Sequence, residues 1–281
     1  MGGQSSSMHK KTLICMLGYF IYRKAWLYDG PPHKEKRLGK PEVDALLSKG
    51  GIMVRNTYDF DIHEETNFWY VIKDQYLGME ELSPRVRNKV RRAFQFFDYQ
   101  KITYEQLLDN VFPILEDTFA NYKVHDRKMN KKVFSEYLEQ CQQKKYDYWG
   151  IFKKDTNQIV GFCTVKIWDD SCEMGYTGVM SNYIKNGYYP YYGLYHHLNG
   201  YYLGEKGFRY ISDGSRTITD HSEIHDYLIH FFKYRKAYCK LKIKYKWWFG
   251  AIVRVLYPFR NIIWNRNVKA VLRMHGMQDC L

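Results

Sequence analysis

None of the six cysteines in this 281-residue chain lies in a Cys-x-x-Cys pair. Cys15, Cys141, Cys163, Cys172, Cys239 and Cys280 are scattered, which removes zinc ribbons and dithiol redox motifs. Cys163 and Cys239 fall in strand patterns and read as reduced core residues of a cytoplasmic protein. There is no Gly-x-x-x-x-Gly-Lys-Ser/Thr loop, no His-Glu-x-x-His and no Gly-x-Ser-x-Gly, so three large enzyme classes lose their support. His196 and His197 are adjacent and cannot share a helix face, so no metal is expected. No apolar run approaches the ~20 residues that span a bilayer. Thr12 to Ile21 is apolar but short, is followed closely by Arg23-Lys24, and lacks a small-residue cleavage site, which argues against a signal peptide. Internal repeats and low-complexity linkers are also missing.

What is present points to a folded protein. The chain is 45% hydrophobic and 18% aromatic, with 27 tyrosines, and its mean hydropathy is −0.55. That supplies one or two ordinary cores and excludes a disordered chain. Lys and Arg number 43 against 30 Asp and Glu, a formal charge of +13, which suits a polyanionic partner. The charge is uneven. Arg85, Arg87, Lys89, Arg91 and Arg92 fall in one short run, and the C-terminal segment is basic as well. The opening Met-Gly-Gly-Gln-Ser-Ser fits the loose myristoylation pattern; the plainer reading is an extension outside the fold.

Periodicity supplies the elements. Residues 10 to 28 read as a helix, or a helix and a strand. Pro41 to Leu47 reads as a short helix, and Ile52 to Phe60 and Asn67 to Lys73 as strands. Pro84 to Phe97 is a helix with Val86, Val90, Ala93 and Phe97 on one face and arginines on the other. A short strand at Tyr99 to Ile102 precedes helices at Tyr104 to Tyr122 and Lys131 to Gln143. Asp147 to Lys153, Gln158 to Trp168 and Cys172 to Met180 form a meander. Tyr191 to Glu205 is helical and stops at Lys206-Gly207. Phe208 to Ser212 is a strand, Asp213-Gly214-Ser215-Arg216 a turn, Ser222 to Lys233 a helix and Ala237 to Tyr245 a strand.

Strand, two helices, three antiparallel strands, helix, strand, helix, strand resembles the GNAT acyltransferase superfamily. The runs Asn67 to Lys73, Leu82 to Ala93, Glu205 to Tyr210 and Phe231 to Lys236 look like its FemAB branch. The resemblance implies an α/β (α+β) fold with a mainly antiparallel sheet and an acyltransferase domain over residues 98 to 245. An N-terminal elaboration or degenerate partner lobe would occupy 1 to 97, and a helical C-terminal segment 246 to 281. It implies acyl-CoA or acetyl-CoA as co-substrate and an amine acceptor, either a small molecule or a lipid-linked cell-envelope precursor. Two alternatives stay open: aminoacyl transfer from charged tRNA, and a degenerate fold that only binds.

Three groups of residues are candidates for chemistry. The loop before the helix at Tyr191, with Tyr191, Tyr192, Gly193 and Leu194, would hold CoA phosphates on free backbone amides, although the family's Gly-rich signature is missing there. Arg216 could clamp an anion and His221 could take a proton, beside Asp213, Asp220 and His225. Glu173 on the last meander strand is a secondary base, and Tyr227 an acid for the leaving thiolate. At the C-terminus, Trp247 to Ile263 mixes apolar and basic residues, with Pro258 breaking it into two helical pieces. That segment, 247 to 275, reads either as a peripheral membrane contact or as packing against Leu13 to Trp26.

Overall fold

The computed structural model describes residues 15–121, 131–142, 144–217 and 223–278. In chain order, β1 (Cys15–Met16), β2 (Tyr19–Tyr22) and β3 (Ala25–Tyr28) stand where a helix, or a helix and a strand, was expected over residues 10 to 28, of which 10–14 lie outside the described residues. The reversals between them use left-handed backbone at Leu17, Gly18, Arg23 and Lys24, which a helix cannot accommodate. Next come α1 (Lys40–Ser48), β4 (Met53–Ile62), β5 (Phe68–Lys73), α2 (Pro84–Phe96) and β6 (Phe97–Ile102). The helices α3 (Tyr104–Ala120) and α4 (Lys131–Gln142) lead to the meander β7 (Tyr146–Lys153), β8 (Gln158–Ile167) and β9 (Ser171–Val179). Beyond it lie α5 (Ser181–Lys185), α6 (Pro190–Asn199), a π-helical turn (Gly200–Glu205), β10 (Tyr210–Ser215), α7 (Glu223–Phe232) and β11 (Arg235–Tyr245). The C-terminal elements are α8 (Trp247–Leu256), a 3₁₀ turn (Tyr257–Phe259) and α9 (Arg266–His275).

The chain forms two compact units, one of residues 59–240 and one of 1–58 with 241–281. In the larger unit the strand order is β11-β5-β10-β9-β8-β7-β6. The neighbouring strands there pair antiparallel except β9 with β10, which pair in parallel. Two apolar clusters fill it. One joins Val71, Val86, Val90, Trp149, Val165, Leu194, Leu198 and Phe232. The other joins Leu107, Val111, Ile114, Phe134, Leu138 and Phe162. In the smaller unit, Tyr19, Trp26, Leu46, Leu47 and Val54 form their own cluster, and β3 pairs in parallel with β4.

Local chemistry explains the elements that position the site. Ser83 caps α2 by accepting from the Val86 amide at 3.4 Å, and Pro84 occupies the first turn, where its missing N–H costs nothing. Val86, Val90 and Ala93 are buried on one face of α2, leaving the cationic residues outward. Asn157 adopts left-handed φ at the β7–β8 turn, as Asn does readily. The helix expected from Tyr191 to Glu205 divides at Gly200. Side chains at Gly200 and Gly204 would run into the Tyr76 ring, with a Cβ at Gly200 only 3.0 Å from the Tyr76 hydroxyl. The backbone there takes π-helical pairing, a device found frequently at functional sites.

Candidate functional site

The parallel ladder between β9 and β10 is short. It pairs Tyr210, Ile211 and Ser212 with Ser171, Cys172 and Glu173. Beyond it β9 continues along β8 and β10 along β5. β9 carries a bulge just past Glu173, between the pairs Val165–Met174 and Cys163–Thr177. Bulges of this kind re-aim groups beside active sites.

Asp213 and Glu173 sit at that ladder's end. Asp213 is the residue after Ser212, whose partner is Glu173. The Asp213 side chain is only 15% exposed. Burial, with the Glu173 charge second, pushes its carboxyl up to about 8. A carboxyl poised there can exchange a proton near neutral pH. Of the expected turn at Asp213 to Arg216, Asp213 to Ser215 form the end of β10 and Arg216 follows it; the left-handed φ of Gly214 and a 2.9 Å bond from its amide to the Ser212 hydroxyl shape it.

His225, on the first turns of α7, faces Asp213. Its Nε2 lies 3.4 Å from Asp213 Oδ2 and 3.3 Å from the Asp213 carbonyl oxygen. Burial holds its imidazole below the usual histidine range, so at neutral pH it is an uncharged partner of the carboxyl. The buried hydroxyls of Tyr195 and Tyr234 complete the surroundings. Burial first, and the Asp213 charge second, hold both well above the ordinary phenol range. Tyr234 donates to Asn199 at 2.8 Å. An ion pair of Lys73 with Glu81, 2.8 Å long, is enclosed in the same unit, with side chains 2% and 9% exposed.

The residues selected from sequence fare unequally. Glu173 joins Asp213. Tyr227 packs with Tyr192, Tyr195 and Phe231, and its hydroxyl is buried without a hydrogen-bond partner. Arg216 is occupied otherwise: its guanidinium donates to the Asn67 carbonyl at 2.6 Å and lies 4.1 Å from the Trp69 ring centroid. His221, Asp220 and Ser222 lie outside the described residues. His225 is more than a sequence neighbour of Arg216 and His221: its i, i+3 relation to Leu228 and i, i+7 relation to Phe232, both buried, are the local sign that it faces inward.

The start of α6 differs most from expectation. Pro190 has no amide to offer, and the amides of Tyr192 and Gly193 donate to the Tyr189 carbonyl at 2.9 and 3.5 Å. Gly193 leaves room for a ring and not for a phosphate: a Cβ there would sit 2.1 Å from the Tyr99 hydroxyl. Leu194 is fully buried in the core. Tyr192 is buried and accepts from Lys89 Nζ at 2.9 Å, while Tyr191 stacks on Tyr195. Beside the same loop lies an open groove of about 570 Å³, lined by Arg85, Asn88, Lys89 and Arg92 of α2 with Asn186, Gly187 and Tyr189. Lys89 also lies 4.5 Å from the centroid of the Tyr192 ring, so it is held rather than free to wander. The positive φ of both Gly187 and Tyr189 turns the loop toward α2's cationic face; for Tyr189 that conformation carries strain.

No family model matches the chain, and no curated protein matches it. Among solved structures it is similar to FemX, at 8% identity over 80% of each chain with a TM-score of 0.51. It is also similar to L-PGS from Bacillus licheniformis, at 12% identity over 86% of this chain and 77% of that one, with a TM-score of 0.47. A third is the PaiA N-acetyltransferase of Thermoplasma acidophilum in complex with coenzyme A, at 15% identity over 40% and 73%, with a TM-score of 0.28. The likeness to FemX is one of fold: the chain has a FemX-like mixed α+β fold with a mainly antiparallel sheet flanked by helices.

Proposed function

We propose that this protein is an N-acyltransferase that takes an acyl group from acyl-CoA and delivers it to an amine, with Asp213 as the proton acceptor. The observation that carries the reading is the Asp213 carboxyl. It is buried beside Glu173 and His225 at the end of the β9–β10 ladder and raised to about 8. An ammonium is not a nucleophile, so one proton must leave before its nitrogen attacks the acyl carbonyl. The new C–N bond forms as the C–S bond breaks. Asp213 takes the amine proton, and the thiolate is protonated as it departs, with Tyr227 as the candidate donor. Burial, with the Glu173 charge second, keeps the Asp213 pKa high enough for the exchange, and His225 holds the carboxyl in place. The donor's phosphates are assigned to Arg85, Lys89 and Arg92.

A second reading, aminoacyl transfer from charged tRNA, is favoured by one observation. At the start of α6 the Tyr192 and Gly193 amides are bonded to the Tyr189 carbonyl and Pro190 has none, whereas the basic groove is built from long side chains. Arg and Lys side chains track a nucleic-acid backbone with a strong salt dependence.

The test uses purified full-length protein with acetyl-CoA and a panel of primary amines, followed by thiol release. Asp213→Asn should lower turnover by ~10²–10⁴. The wild-type rate should rise with pH to a plateau, with a midpoint near the Asp213 value of about 8. Full activity in Asp213→Asn removes the proposed base. Calorimetry of Arg85→Gln/Arg92→Gln separates the donors: weakened CoA binding supports the first reading. Tight, salt-sensitive charged-tRNA binding with no CoA binding in the wild type supports the second.

A further inference from the structure

The C-terminal segment of the smaller unit shows its apolar side chains to solvent. Between residues 246 and 278 the chain carries Lys246, Arg254, Arg260, Arg266, Lys269 and Arg273 and no Asp or Glu. One side of this segment is anchored. Val253, Leu272, Met274 and Met277 are buried, Gly250 packs closely on Tyr245, and the Tyr257 and His275 rings meet edge to face at 5.0 Å. Asn265 caps α9 by accepting from the amides of Asn267 and Val268. The other side is bare: Trp264 is 95% exposed, Trp247 86%, Ile262 69%, Val255 67% and Phe259 54%. The packing expected against Leu13 to Trp26 does not cover them. Trp26 is buried in its own cluster with Tyr19, Leu46, Leu47 and Val54, and Leu13 lies outside the described residues.

Single exposed apolar residues are ordinary. Two nearly naked tryptophans and three aliphatic or phenyl side chains along one short segment are not, and such patches mark interaction surfaces. Charge selects the occupant. A two-fold pairing of two copies through this face would set its cations against each other with no carboxylate between them. An anionic lipid surface satisfies both features at once. Indole rings settle at head-group depth, and arginines meet the phosphates. We propose that the α8–α9 segment docks on anionic membrane, inserting Trp247, Val255, Phe259, Ile262 and Trp264 while Arg254, Arg260 and Arg266 engage the head groups. This inference is independent of the reaction assigned above.

Flotation of the full chain with vesicles tests it. Binding is expected to vesicles containing roughly one third phosphatidylglycerol, but not to phosphatidylcholine alone, and should fall as salt rises. Tryptophan emission should shift to the blue on binding. Trp247→Ala/Trp264→Ala should weaken partitioning by roughly tenfold or more, with an unchanged thermal midpoint because both rings are exposed. Arg254→Gln/Arg260→Gln/Arg266→Gln should abolish binding. The proposal is overturned if the wild type stays unbound with anionic vesicles at low salt. It is equally overturned if the tryptophan variant floats like the wild type, which would mean adsorption of a basic protein by charge alone. A dimer in light scattering that dissociates in the tryptophan variant, without vesicle binding, gives the face to a second copy.

Discussion

Two aromatic-rich stretches of this chain have opposite fates. Tyr188 to Tyr202 and Trp247 to Trp264 are comparable in length and ring content. In the first, Tyr192, Tyr195 and Tyr202 are all buried and their rings interlock with Phe232, Tyr227 and Trp149. In the second, Trp247, Phe259 and Trp264 lie in solvent. Composition does not separate them. The difference lies in how each ring's polar handle and neighbours are satisfied. Tyr202 donates to Asp147 at 2.8 Å and accepts from Trp149 Nε1 at 2.9 Å, so its burial leaves nothing unpaired. The second stretch spaces its apolar residues around the anchored positions Gly250 and Val253, and both sides of a short helix cannot face one core.

The sharpest way to break the comparison is to disturb the enclosed polar groups of the first region's unit. Glu81→Gln leaves the Lys73 ammonium, 2% exposed, without its counter-charge. Removing one partner of a buried pair costs about 3–5 kcal/mol, and urea unfolding should read a loss of that order. A change below about 0.5 kcal/mol would show that solvent reaches the pair and that the interior is less closed than described.

A smaller effect is expected at Asp213 and depends on pH. Its folded pKa of about 8 is above the value of 3.8 expected without the fold. From about pH 4 to about pH 8 the folded state therefore binds more protons than the unfolded one, and this group's contribution to stability falls as pH rises. Asp213→Asn should remove that slope. The variant should match the wild type near pH 4 and become progressively more stable relative to it as pH rises toward 9. Parallel stability curves across this window would show that the carboxyl ionises as an exposed aspartate does.

The smallest effect belongs to the second region. Trp264→Ala should change stability in water by less than ~0.5 kcal/mol, since the ring buries almost nothing; differential scanning calorimetry reads it directly. A loss of several kcal/mol would mean that the ring is covered in solution and would sharpen the search for what covers it.

Much of the fold was legible in the sequence. The meander at β7–β9, the α2 stripe and the α6–β10–α7–β11 order follow from period-2 and period-3.6 patterns bounded by Gly, Asn and Pro, which are local properties of the chain. The strands β1–β3 were not legible, because their short apolar runs also suit a helix and, besides Gly18, the reversals use left-handed Leu17, Arg23 and Lys24. Of the candidate residues, Asp213, Glu173 and His225 lie at the end of the β9–β10 ladder, as their nearness to strand ends in the sequence suggests, whereas Arg216 packs on Trp69 and Gly193 on Tyr99, contacts between distant residues that no local pattern records.

The sequence by itself determined the element order, the cationic face of α2 and the basic stretch 246–278 without Asp or Glu, because each is set by residues a few positions apart. Only the tertiary structure decided which carboxyl is raised, which glycine is filled by a ring and which tryptophans stay bare. Burial, ring contact and desolvation arise between residues far apart in the chain, as when Tyr99 closes on Gly193 or Glu173 comes beside Asp213, and no local pattern records them.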